Sequence, residues 1–238
     1  MPDKELDNLL RENREIIDAL SEVAIQQGKE QKDELKVLFT LIHRDITQEI
    51  IRAVGLDAFD NPKSLLRFNK HFANAYLQAV KNPASSPKWK KAFAECEFQS
   101  GLVRQALADW TSSDPLLPSP LVTQMLAQRR CTEAEGDVHI NNDMMEALIA
   151  SRENGNYTVS MRDFGNMLEL VQRGTKSGIK DVAPSVIGHF EVFVKQYLLP
   201  CVEETWRNNV FKQVCGEDVR KPEPQFKRLI GQVDTAGK

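Results

Sequence analysis

His139 and Asp143 stand four residues apart in the run His139-Ile140-Asn141-Asn142-Asp143, which continues into the helix-prone Met144-Met145-Glu146-Ala147-Leu148. On a helix, that spacing puts both side chains on one face. An imidazole held by a carboxylate is an acid/base pair, with His139 as base and Asp143 as its orienter. The same two groups can begin a divalent-metal site, which needs at least one further protein ligand. His71 completes that metal set in the sequence reading, and a divalent metal ion is the one cofactor the pattern points to. Asn74, Tyr76, Asn141 and His43 would line a polar pocket around a small molecule or ion, since buried amides and hydroxyls must find partners. A purely structural arrangement uses the same residues: a His–Asp hydrogen bond tying helix starts together, with Asn141 as a cap.

Other pairings are poorer. His189 and Glu191, like His43 and Asp45, are two residues apart and do not share a helical face. The chain has no Gly-x-Ser-x-Gly, no phosphate-cradling glycine loop, no cysteine with an evident base and no Glu-x-x-His pair. Whether the protein is an enzyme stays open at this level.

The elements that must position these residues are helices. Leu6, Leu10, Ile17, Leu20 and Ala24 recur at spacings of three and four over residues 3–27, with Asn13 on the same stripe and Leu9, Ile16 and Val23 beside it. Gly28 and the polar run Lys29 to Glu34 read as a break. A second helix is expected over about 35–54, ending near Gly55. Asp60-Asn61-Pro62 reads as a capped start for a third helix, to about Val80. A fourth follows the loop 82–87 and runs to about Trp110. Thr111 to Pro120 is the clearest loop. A helix over about 121–130 is expected to lead through an acidic turn to the His139 helix. Ser160 and Asp163 resemble a capping signal, Gly174 and Gly178 punctuate, and a long amphipathic stretch from Pro184 to Val214 is kinked at Pro200. Tyr157-Thr158-Val159 is the only plausible strand fragment. The fold expected is all-α: an orthogonal or bundle-like helical domain over 35–216, an amphipathic arm over 1–34 and a loosely attached tail over 217–238.

Composition supports a globular chain: 41% hydrophobic residues, 27% charged ones and a formal charge of −3. That balance gives no global reason to expect nucleic acid. No apolar run is long enough to span a membrane, and no signal segment is visible at the N-terminus. Cys96, Cys131, Cys201 and Cys215 have no zinc-site or redox spacing and read as thiols in a reducing compartment, with the cytoplasm as default. Residues 61–94 carry seven basic side chains and no acidic one. This is a solvated face, or else a basic surface with Tyr76, Trp89 and Phe93 available to stack on an anion.

Taken in order, Phe39-x-x-Ile42-His43-x-x-Ile46-Thr47-x-x-Ile50, Phe59-Asp60-Asn61-Pro62, Phe72-Ala73-Asn74-Ala75-Tyr76, Pro87-Lys88-Trp89-x-x-Ala92-Phe93 and His139-Ile140-Asn141-Asn142-Asp143 resemble a largely bacterial family of helical domains of unknown function. In that family a Phe-Ala-Asn-x-Tyr segment precedes a His-Ile-Asn-x-Asp segment. The resemblance implies a helical domain and a shared pocket, without an established activity. The sequence departs from the family pattern at His43, where an aromatic such as tyrosine is expected, at the apparent insertion Thr111 to Pro120, and at Glu135-Gly136-Asp137-Val138.

The functional expectation is a cytosolic helical protein with a polar pocket inside the bundle. The alternative is a protein-interaction module acting through its terminal amphipathic helices, with the N-terminal arm as a route to a homo-oligomer.

Overall fold

Every third or fourth residue along the first helix is apolar or small, and that stripe decides how it packs. In the computed structural model, which describes residues 3–29, 34–109, 120–151, 159–182, 224 and 226, α1 is Lys4–Lys29. Gly28 lies within it rather than ending it. Leu9, Asn13, Ile16, Leu20, Val23, Ala24 and Gln27 form its buried face, while Leu10 and Ile17 sit at the flank. The segment expected as an arm thus packs against α2 (Glu34–Val54) and α3 (Pro62–Lys81). Asn13 tolerates burial because its amide donates to the carbonyls of Leu9 at 2.8 Å and Leu66 at 3.2 Å. Its oxygen accepts from Asn69 at 2.8 Å.

α2 is the central helix and touches α1, α3, α4 (Pro87–Asp109), α5 (Pro120–Val138) and α7 (Met161–Val182). Its approach to α7 depends on a residue that reads in sequence as a helix break. Gly174 lies inside α7, where a Cβ would meet the backbone nitrogen of Ile46 at 2.5 Å and its Cα at 2.7 Å. Glycine serves there as a contact point between two backbones.

The start of α3 follows its sequence signal. Asn61 Oδ1 accepts from the Ser64 backbone N–H at 3.2 Å, with Pro62 in the first turn. Ser160 caps α7 in the same way, accepting from Asp163 N–H at 3.0 Å. The buried Asp163 carboxylate then accepts from the backbone N–H groups of Asp60 and Asn61 at 2.9 Å each, pinning two helix starts together.

Two core clusters result. One centres on Leu65, Leu66, Phe68, Met144, Leu148 and Phe164; the other on Leu20, Phe39, Tyr76, Trp89 and Phe93. Phe226, from the stretch expected to be loosely attached, is buried against Phe59. Every regular element among the described residues is a helix, with no strand among them, and no described helix is long and apolar enough to cross a membrane. The loop expected over 111–120, most of the strand fragment 157–159 and the amphipathic stretch 184–214 lie outside the described residues, apart from Pro120 and Val159.

Two sequence expectations are corrected. Cys96 and Cys131 are not thiols but a disulfide joining α4 to α5; chain separation hid the pairing. Three of the seven basic side chains over 61–94 pair with acidic residues in or just before α1, and the aromatic platform does not form. Lys63 pairs with Asp3 at 2.8 Å and Glu5 at 3.1 Å, Arg67 with Glu5, and Lys70 with Glu12 at 3.0 Å. Tyr76, Trp89 and Phe93 are buried and offer no platform to an outside anion.

Candidate functional site

The site is built on one long helix with an unusual repeat. Ala127, Cys131, Glu135, His139, Asp143, Ala147 and Ser151 fall at strict four-residue intervals, and all are buried. An α-helix turns once per 3.6 residues, so such a stripe drifts about 40° per step away from any fixed neighbour. The chain corrects the drift with a wider turn: α5 passes directly into a π-helical stretch, His139–Met144, before α6 (Met145–Ala150). Where the sequence suggested an acidic turn before His139 there is continuous helix, with Glu135 inside it. Isolated π turns recur at functional sites.

His139 and Asp143 open and nearly close that turn. The imidazole Nδ1 lies 2.8 Å from Asp143 Oδ2. The same oxygen accepts the indole N–H of Trp89 at 3.0 Å, and Oδ1 accepts from Asn142 Nδ2 at 3.0 Å. Three N–H groups converge on oxygens that accept, so His139 Nδ1 is the donor of its pair and Nε2 holds the lone pair in the neutral ring. The ring is also clamped through its faces. Phe72 stacks on it at 3.6 Å between centroids and 13° between planes. Phe39, His43, Tyr76 and Trp89 surround it at 4.7–6.0 Å. Such packing leaves the imidazole one orientation.

Beside this ring is a cavity of about 80 Å³, lined by His43, Ile46, Phe72, His139, Met144 and Val171 among others. The lining is overwhelmingly apolar, so the polar pocket expected from sequence is not what forms. Its polar contributions are the two imidazoles, Asn69, Thr132 and Thr175. Asp143 does not line it and works from behind His139.

His43 is the second polar feature. It is buried, its ring centroid is 4.7 Å from that of His139, and among the described residues neither ring nitrogen has a hydrogen-bond partner. Burial, reinforced by the neighbouring His139, holds its pKa well below the ordinary 6.5. The folded state therefore keeps His43 neutral while the unfolded chain protonates it. Folding stability should fall as pH drops below about 6.5, by up to about 1.4 kcal/mol per unit, until His43 itself protonates. Urea unfolding of wild type and His43→Leu across pH 5–8 checks this; the wild type should show the steeper slope.

The remaining sequence candidates are dispersed. Asn141 is exposed and donates to Asp137 Oδ1 at 2.6 Å on the outer face; it lies mid-helix and caps nothing. Asn74 is half-buried and does not line the cavity. Tyr76 packs against His139 but sends its hydroxyl 2.6 Å to Thr40 Oγ1, which donates to Gln27 Oε1 at 2.7 Å. His71 is on the exposed face of α3 and joins no ligand group with His139 and Asp143. Among the described residues, the only convergent set of three metal-ligating side chains is Cys96, Cys131 and Glu135. Sequence reasoning missed Trp89 as the second donor to Asp143, and Phe72 as the stacking partner. The Trp89 signal was available: a buried indole N–H must find an acceptor.

Residues 13–108 match the model of a family of unknown function, DUF5995. The matched region contains His43, Phe72, Tyr76 and Trp89, and it stops before His139 and Asp143. No curated protein and no solved structure matches the chain.

Proposed function

We propose that this domain binds a small, mainly apolar ligand, or the apolar end of a larger one, in the cavity beside His139. The two imidazoles read its single polar group. The observation that carries this reading is the shared Asp143 carboxylate. By accepting from both His139 Nδ1 and Trp89 Nε1, it fixes the imidazole as an acceptor at Nε2, on a ring that lines an apolar cavity. A ligand O–H or N–H would donate to that nitrogen. Were the ligand a substrate, His139 would be its general base and Asp143 the orienter. His43 supplies a second, neutral imidazole able to donate or accept.

A cavity of this size holds only a few heavy atoms, which sets the probes. Xenon tests the apolar volume alone, and 1-propanol tests volume plus a hydroxyl. Both should bind saturably to the wild type, with NMR shifts centred on His43, His139 and Met144. His139→Phe should weaken 1-propanol at least about tenfold, because a buried hydroxyl without its partner costs about 1–3 kcal/mol. Undiminished propanol binding in that variant contradicts the reading. The alternative of an interaction module has less support in the N-terminal helix, since the apolar stripe of α1 is already buried against α2 and α3.

A further inference from the structure

The acid/base apparatus leaves one buried group of reactive side chains unused. We propose that Cys96, Cys131 and Glu135 form a redox-switched metal site, which holds a zinc-class divalent cation when the cysteines are reduced and loses it when they form the disulfide.

The geometry supplies the donors. One ligand atom from each residue falls within 4.8 Å of the others, and all three residues are buried. Cys96 comes from α4, while Cys131 and Glu135 are one turn apart on α5, with Cys131 Sγ 3.8 Å from Glu135 Oε2. Two thiolates and a carboxylate are three ligands of a tetrahedral zinc site, with the fourth position left to water. Thiolates favour zinc or similarly soft ions over magnesium or calcium, whose sites are built from oxygen. Ala127 and Val103 pack against the two cysteines and hold the sulfurs in place.

The two states exclude one another, because a sulfur committed to a disulfide has no thiolate charge to give a metal. Reduction by a dithiol delivers two electrons and two protons, breaking the S–S bond while the reductant becomes a disulfide. Zinc binding then displaces the two thiol protons. In the reverse direction a peroxide takes two electrons from the dithiolate. The S–S bond forms, the O–O bond breaks, two hydroxide ions leave and the cation is released.

The test uses the full-length chain, reduced with a phosphine or left oxidised, with zinc measured by chelator competition. Reduced wild type should take up one zinc per chain and oxidised protein none. Glu135→Gln, close in shape to the native side chain, should weaken zinc at least about tenfold, no less than the loss of an outer-shell partner costs a metal site. Cobalt(II) added to the reduced wild type should give thiolate charge-transfer absorption, which Cys131→Ser removes. A reduced chain that keeps its helical circular dichroism and takes up no zinc overturns the proposal. So does equal affinity in Glu135→Gln, and so does a reduced chain that loses its helicity and does not regain it with zinc.

Discussion

Asp143→Ala is expected to cost about 2–6 kcal/mol of folding stability, since it strands two buried N–H donors at about 1–3 kcal/mol each. The carboxylate is 3% exposed and serves three donors: His139 Nδ1, Trp89 Nε1 and Asn142 Nδ2. Alanine leaves two of these, the ring N–H of His139 and the indole N–H, inside the core without their acceptor. Asp143→Asn should cost less, since the amide oxygen still accepts an N–H, although its NH₂ faces Asn142 donor to donor. Urea midpoints for the two variants test the order, and an alanine variant within about 1 kcal/mol of wild type would show that the carboxylate holds nothing together.

Trp89→Ala is expected to cost a comparable 3–5 kcal/mol, for a different reason. The side chain is 2% exposed and fills the junction between α4, Phe39, Tyr76 and Phe93. Its loss opens a cavity as well as removing a donor. Trp89→Phe separates these effects by keeping most of the volume and removing only the N–H, so it should cost about 1–3 kcal/mol. Because Trp89 and His139 share one acceptor, their substitutions should not add. A double-mutant cycle between Trp89→Phe and His139→Phe should show coupling of at least about 0.5 kcal/mol.

The helices were legible in the sequence wherever an apolar stripe at helical spacing met a recognisable cap, as at Asn61-Pro62 and at Ser160 with Asp163. The reading failed where tertiary contact overrode local character. The charged run from Glu133 to Asp137 looks like a turn, yet it is helical because Glu135 falls on the four-residue stripe shared with His139. Gly174 looks like a break, but α7 continues through it because α2 needs the space. The Cys96–Cys131 bond spans two helices and leaves no local trace.

The site divides in the same way. His139 and Asp143 were visible because four-residue spacing on a helix is a local fact, and the structure brings them to 2.8 Å. Their surroundings were not visible. Whether a neighbouring helix presents an amide or a phenyl ring depends on packing, so Asn74 was expected where Phe72 stands. That exchange turns an expected polar pocket into an apolar one with two imidazoles at its edge.

The tautomer of His139 tests the central claim most directly. Long-range ¹H–¹⁵N correlation on ¹⁵N-histidine-labelled protein at neutral pH reports which ring nitrogen carries the proton. Orientation by Asp143 predicts a proton on Nδ1 and an Nε2 that accepts, with loss of that preference in Asp143→Ala. A ring protonated at Nε2 alone, or at both nitrogens, would contradict it.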